Sequence, residues 1–244
     1  MHDRMKDAPV LVVFLEKLRV LVVAGVLTGA LVAGLGGRLA MLVLRLTSPE
    51  GVRGVISDDG FRIGEVTLFG TYGLVALGAA IGIIGAAAYR WVCPWLLGPP
   101  WFRRVTVSAG SAVVVGSMLI HADGVDFTLL QPTWLAIALF LALPAAFGWL
   151  IGWAVDRVAA PTSWTARGRR RWVVPVVLVA CFPVVIILVG VTALMLAIWV
   201  PIRAQPQTLR WSRSWPVLLA ARAAWLAVAV AGLAALLGDI DALA

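Results

Sequence analysis

The residues able to do chemistry are few, and they fall at the ends of apolar runs. Arg38 and Arg222 each lie inside a long apolar segment, where a charge is costly and therefore a functional candidate. Asp58, Asp59 and Glu65 lie in the polar stretch GVRGVISDDGFRIGEV, and His121, Asp123 and Asp126 in HADGVDFTLLQP. Together these six give proton or cation ligands that two Arg side chains could balance. The chemistry on offer is an outward-facing charged pocket that holds a divalent cation, relays protons or anchors a partner's loop. The H-x-D-x-x-D spacing matches no specific metal motif, so no metal is assigned.

Each of these residues also has a plain structural role. Arg38 and Arg222 can snorkel toward a membrane surface. At 1.5 Å per residue, Arg222 lies ~10 Å along the helix from Trp215. Asp58 and Asp59 suit a turn, and Asp59-Gly60 between β-prone stretches suits a short hairpin. Glu65 suits a helix N-terminus. The stretch HADGVDFTLLQP reads better as a hydrated acidic loop with local ion pairs than as a ligand site.

Other motifs are absent from the sequence. It has no P-loop, no G-x-G-x-x-G between strand and helix, no H-E-x-x-H and no G-x-S-x-G. The GLGGR run at 34–38 lies inside an apolar segment. His2 and His121 are the only histidines, too few for a haem held by two helices. No cofactor is expected. Cys93 and Cys181 read as reduced thiols.

The elements that position these residues follow from composition. Hydrophobic residues make up 62% of the 244 and charged residues 13%, with mean hydropathy +0.99. A soluble domain is about a quarter charged, so lipid must solvate most of this surface. The expected fold is all-α, a polytopic transmembrane bundle of about six spans, as one domain over 20–237. The spans are expected at about 20–46, 66–88, 105–120, 133–155, 172–200 and 215–237. Residues 1–19 read as a cytoplasmic or interfacial segment in which Val10 to Leu15 runs into the first span, and 238–244 as a tail. The first run reads as a retained helix, since no small-residue cleavage site follows it. Pro175 and Pro183 should loosen the fifth span near its start.

The net charge of +8 belongs to topology, because Lys and Arg flank the apolar runs. Nucleic-acid binding is not expected. The N-terminal segment and the loops holding Arg90, Arg103, Arg104 and Arg157 to Arg171 should face the cytoplasm. The loops at 47–65 and 121–131 should face outward. One loop disagrees: alternation puts Pro201 to Ser214 outside, yet it carries Arg203, Arg210 and Arg213. The expectation keeps alternation, with both termini inside and Arg38 and Arg222 in the outer half. Tryptophans mark the interfaces, with Trp91, Trp95, Trp101, Trp153 and Trp172 inner and Trp134, Trp199, Trp211 and Trp215 outer.

Small residues recur at four-residue steps. Gly25, Gly29, Ala33 and Gly37 share a face of the first helix, and Gly78, Gly82 and Ala86 one of the second. Ser108, Ala112 and Gly116 do so in the third, and Gly148 and Gly152 in the fourth. Such faces let backbones approach closely, within one chain or at an oligomer seam.

GGRLAMLVLRLTSPEGVRGVISDDG, with DGVDFTLLQPTWLAIALF, resembles a family of uncharacterised multi-pass membrane proteins of actinobacteria. The resemblance covers roughly the first 155 residues and rests on Gly36, Gly37 and Arg38, Asp58 to Gly60, and Asp126 and Phe127. It implies a bacterial membrane protein and no particular activity. The Arg-biased basic set, 18 Arg against 2 Lys, agrees with a GC-rich genome.

The expected function is a non-enzymatic accessory or assembly subunit in the bacterial inner membrane. Its partners are the lipid bilayer and a membrane protein or a second copy. The alternatives are a small channel or transporter lined by the charged pocket, and an intramembrane enzyme on lipid-linked substrates with His121 or an Asp as base.

Overall fold

The computed structural model describes residues 9–49, 67–121, 127, 129–205, 208 and 214–243. The described residues are helical throughout, with no strand. The 47–65 hairpin expected from Asp59-Gly60 lies outside them, apart from its first residues. Four helical stretches are long and apolar enough to cross a membrane: Leu68–Trp95, Thr133–Ala159, Val185–Ile202 and Trp215–Leu243.

The helical backbone begins at Val10 and runs unbroken to Thr47. It consists of α1 (Val10–Thr28), a π-helical segment (Gly29–Gly36) and α2 (Gly37–Thr47). The apolar patch from Val10 to Leu15 runs into the first span as part of the same helix, as the sequence leads one to expect. The end of the bundle where α1 begins is called the basal end below, and the opposite end the distal end.

α3 (Leu68–Val92) runs antiparallel to α1 and ends in a 3-10 turn, Cys93–Trp95. Thr67 caps it, its hydroxyl accepting the Gly70 N–H at 3.0 Å. The two helices meet backbone to backbone. A Cβ on Gly25 would lie 2.7 Å from the Gly82 carbonyl oxygen, and one on Gly78 would lie 2.6 Å from that of Gly29. Gly34 then meets Val75, while Gly37 meets only the tip of Leu74 at 4.0 Å. The contact step changes from four residues to five, so the seam passes from Gly29 to Gly34 and leaves out Ala33 and Gly37. The π segment supplies that extra residue per turn.

α4 (Pro100–Leu119) and α5 (Thr133–Ala159) form a second antiparallel pair. A Cβ on Gly148 would lie 2.8 Å from the Val107 carbonyl oxygen, and the Ser108 hydroxyl donates to Ala145 O at 2.8 Å. At the distal end Ser48 meets Gln131: its hydroxyl accepts the Gln131 N–H at 2.9 Å. Leu44, Ile120, Phe127, Leu130, Ala136 and Leu236 form the distal core.

The expected fifth span is not one helix. α6 (Arg170–Cys181) and α7 (Val185–Ala204) are separate helices, and each packs on α1. Pro183 has no N–H to give and disfavours helical backbone at Phe182, which leaves the helix at φ −129°, ψ 76°. The Phe182 N–H turns back to Leu178 O and Val179 O, both at 3.2 Å. Phe182 stacks on Tyr72 with ring centroids 6.1 Å apart, and the Tyr72 hydroxyl donates to Cys181 O at 2.8 Å. From this turn α7 heads back toward the basal end. Val185 packs with Val22, Val26, Ala79, Ala80 and Ile83, at mid-height on α3. Leu196 packs on the cluster of Val20, Leu21, Tyr89 and Val158. The helix continues through Pro175, so only one of the two prolines breaks it.

α8 (Trp215–Leu243) consequently starts at the basal end and runs parallel to α4. Arg222 meets Trp95. A Cβ on Gly110 would meet Trp225 at 2.7 Å, and one on Gly232 would meet Val113 and Ser117 at 3.4 Å. Leu236 completes the distal core. This corrects three expectations. Arg222 is in the basal half, Trp199 and Trp215 stand toward the basal end, and Leu243 lies at the end opposite Val10. The reason in each case is the turn at Pro183, which sends α7 back toward the basal end.

Candidate functional site

Among the described residues the densest polar cluster is at the basal end, where α1, α5 and α6 meet. Arg19 is 4% exposed, and its guanidinium is almost fully used. Nε donates to Glu16 Oε2 at 2.9 Å, one terminal nitrogen to Thr165 Oγ1 at 2.8 Å, and the other to Val158 O at 3.2 Å. The second terminal nitrogen also pairs with Glu16 Oε2 at 2.9 Å. Glu16 Oε1 takes Arg171, so one carboxylate bridges two guanidinium groups. The Arg171 guanidinium carbon lies 5.2 Å from the Trp172 ring centroid. Ser163 and Thr165 share a hydroxyl hydrogen bond of 2.9 Å.

Local sequence explains the assembly. Glu16 and Arg19 are three residues apart and share a helix face. The chain leaves α5 at Ala160 and makes a 3-10 turn, Trp164–Ala166, which lays the two hydroxyls beside Val158. α6 opens with Arg170 and Arg171, and the second reaches Glu16. The cluster ties three helices with charge-assisted hydrogen bonds.

A second pair lies beside it. Arg104 donates to Asp156 Oδ2 at 3.0 Å, joining α4 to α5. Tyr89 and Arg104 both pack over Gly152, where an added Cβ would meet them at 3.2 and 3.3 Å.

The residues of the sequence-derived charged pocket divide. Arg38 is half-buried in α2, and His121 is exposed just past α4, both in the distal half. Arg222 is at the other end, where its Nε donates to Trp95 O at 3.1 Å. The structure therefore does not bring Arg222 to Arg38. Asp58, Asp59, Glu65, Asp123 and Asp126 lie outside the described residues. Among the described residues no group of His, Cys, Asp and Glu is placed to hold a metal ion. Cys93 and Cys181 are both free thiols.

In sequence, Arg19 and Arg171 look like the basic flanks of apolar runs, which hides the basal cluster they form. The E-x-x-R spacing of Glu16 and Arg19, inside what proves to be continuous helix, was the available sign. Thr165 and Val158 O carried none. Comparison with family models, curated proteins and solved structures returned no match.

Proposed function

We propose that this chain is a bacterial inner-membrane protein that works by association within the bilayer, as a non-enzymatic accessory or assembly subunit. The observation that carries the reading is α8. It is 29 residues long, apolar on all sides between Arg222 and Asp239, and only Leu236 is fully buried. A helix apolar on all sides belongs among other helices or in lipid. α7 is similarly open, with Ile187 76% exposed. Two helices thus hold broad apolar faces outward, while α1, α3, α4 and α5 make a closely packed frame behind them.

The topology that goes with this reading has five crossings, α1–α2, α3, α4, α5 and α8, and a hairpin, α6–α7, that enters from the basal side and returns. It places the basal end in the cytoplasm. Lys17, Arg90, Arg103, Arg104, Arg157 and Arg167 to Arg171 are all at that end, as the Lys/Arg bias requires. The loop carrying Arg203, Arg210 and Arg213 joins two helices whose adjoining ends are basal. The exception noted in the sequence thereby disappears. The resemblance to actinobacterial membrane proteins fits the same assignment.

The channel reading needed Arg38 and Arg222 in one path, and Arg222 lies toward Trp95 instead. The test of the association reading is purification in mild detergent at native expression level. A membrane-protein partner or a second copy should remain bound at constant stoichiometry. Recovery of the lone chain alone, in native membranes after cross-linking as well as in detergent, would contradict it.

A further inference from the structure

The connection between α3 and α4, CPWLLGP at 93–99, has two carbonyl groups held by arginines from different helices. Arg222 of α8 donates Nε–H to Trp95 O at 3.1 Å, and Arg103 of α4 donates Nε–H to Gly98 O at 2.9 Å. The two carbonyls are three residues apart in the chain, so no more than about 11 Å separates them. Each bond uses Nε–H, and the two terminal nitrogens of a guanidinium are a donor pair that can meet phosphate oxygens in a fork.

Three features say what these forks would take. Arg222 starts from a position beside Trp225, which packs on Gly110, and reaches back toward the basal end to find Trp95. That is the direction in which a helical side chain already leans, and it sets the charge at an interface and not in the apolar interior. Trp91 and Trp95 meet edge to face, with centroids 4.8 Å apart, and Trp101 is 61% exposed. Indoles collect at the headgroup level. Finally, no described acidic residue competes. Asp156 is engaged by Arg104, Glu16 by Arg19 and Arg171, and Asp239 and Asp241 are at the distal end of α8.

We propose that Arg103 and Arg222, pinned to this loop, form a site for the phosphodiester of an anionic phospholipid in the leaflet at the basal end. The site rests on the membrane reading above and adds a chemical class of ligand to it. It also gives a reason for an arginine two turns inside an apolar helix: the bound lipid would hold the otherwise lightly packed α8 against the α3–α4 corner.

The test uses the full chain in a neutral detergent, titrated with phosphatidylglycerol, phosphatidylcholine or inorganic phosphate, with thermal unfolding as readout. Phosphatidylglycerol should raise the unfolding temperature saturably, and phosphatidylcholine and inorganic phosphate should not. The double variant Arg103→Gln/Arg222→Gln should need at least about tenfold more phosphatidylglycerol for the same response, since each fork supplies charge-assisted bonds. Arg90→Gln/Arg157→Gln removes the same charge from exposed positions at the same end and should respond as the parent does. Equal stabilisation by phosphatidylcholine would overturn the proposal, as would an unchanged response in the Arg103/Arg222 variant or an equal loss in the Arg90/Arg157 variant. Inorganic phosphate matching the lipid would also overturn it and would identify a free-phosphate site. The titration of the parent chain stands even if a variant fails to fold. Failure to float with liposomes would instead sink the membrane reading itself.

Discussion

Glu16 holds the basal end together because it is the only described carboxylate within reach of Arg19 and Arg171. Arg19 is buried, so removing its partner strands a charge that water cannot recover. Breaking such a pair costs about 3–5 kcal/mol. Glu16→Gln should therefore lower stability by about 3 kcal/mol in an equilibrium unfolding measurement in mixed micelles. Replacing both partners, as Glu16→Gln/Arg19→Met, should recover part of the loss, because no buried charge then remains. A change below about 0.5 kcal/mol in the single variant would mean that the tie is not formed. This cluster was only half legible. The E-x-x-R spacing was visible, but Thr165, Ser163 and the Val158 carbonyl come from more than 130 residues away. Nothing local marks a carbonyl as a future acceptor.

At the scale of elements, the α1–α3 seam depends on glycine because backbone meets backbone there. Gly29 and Gly82 are the two tightest points: a Cβ on Gly82 would run into the Gly25 carbonyl oxygen and lie 2.8 Å from the Gly29 Cα. Backbone atoms of two packed helices cannot swing aside as a side-chain tip can. Gly82→Ala should cost about 1–3 kcal/mol, as overpacking does. Gly190→Ala in α7 is the matched control, since nothing lies within 4 Å of its added Cβ. There the higher helix propensity of Ala should leave stability equal or raise it by up to about 1 kcal/mol. Thermal unfolding of both variants in one detergent checks the contrast, and equal losses would refute it. The small-residue steps were readable in the sequence and include Gly25, Gly29, Gly78 and Gly82. The switch to Gly34 was not readable, because a four-residue count assumes α-helical geometry and the chain changes to a π turn. Likewise Pro183 was readable as a weak point, but a kink and a reversal look alike in sequence. What decides for reversal is tertiary: Tyr72 takes the freed Cys181 carbonyl, and Val185 finds an apolar seat on α1 and α3.

For the whole molecule, the reversal changes the parity of the bundle. Reading apolar runs alone gives six alternating spans, an Arg-rich loop on the wrong side and both ends of the bundle's chain together. Folding 170–204 as a hairpin keeps the same apolar runs and brings the adjoining ends of α7 and α8 to the end where Arg90, Arg104, Arg157 and Arg171 stand. Approximate positions of the apolar runs were therefore available from hydropathy, whereas the break at Pro183, the helix number and the topology required knowing which residues touch. The lipid site at the 93–99 loop depends on the same parity, because only a basal start for α8 brings Arg222 to Trp95. So does the sidedness of the open faces of α7 and α8 that the association reading uses. The most direct measurement is labelling of single cysteines, in a Cys93→Ser/Cys181→Ser background, with a membrane-impermeant thiol reagent in intact cells. Cysteines replacing Ser214, at the start of α8, and Leu243, at its end, are the informative pair. The account predicts labelling at 243 in intact cells and at 214 only after the membrane is opened. Labelling at 214 in intact cells with protection at 243, as six alternating spans require, would contradict it.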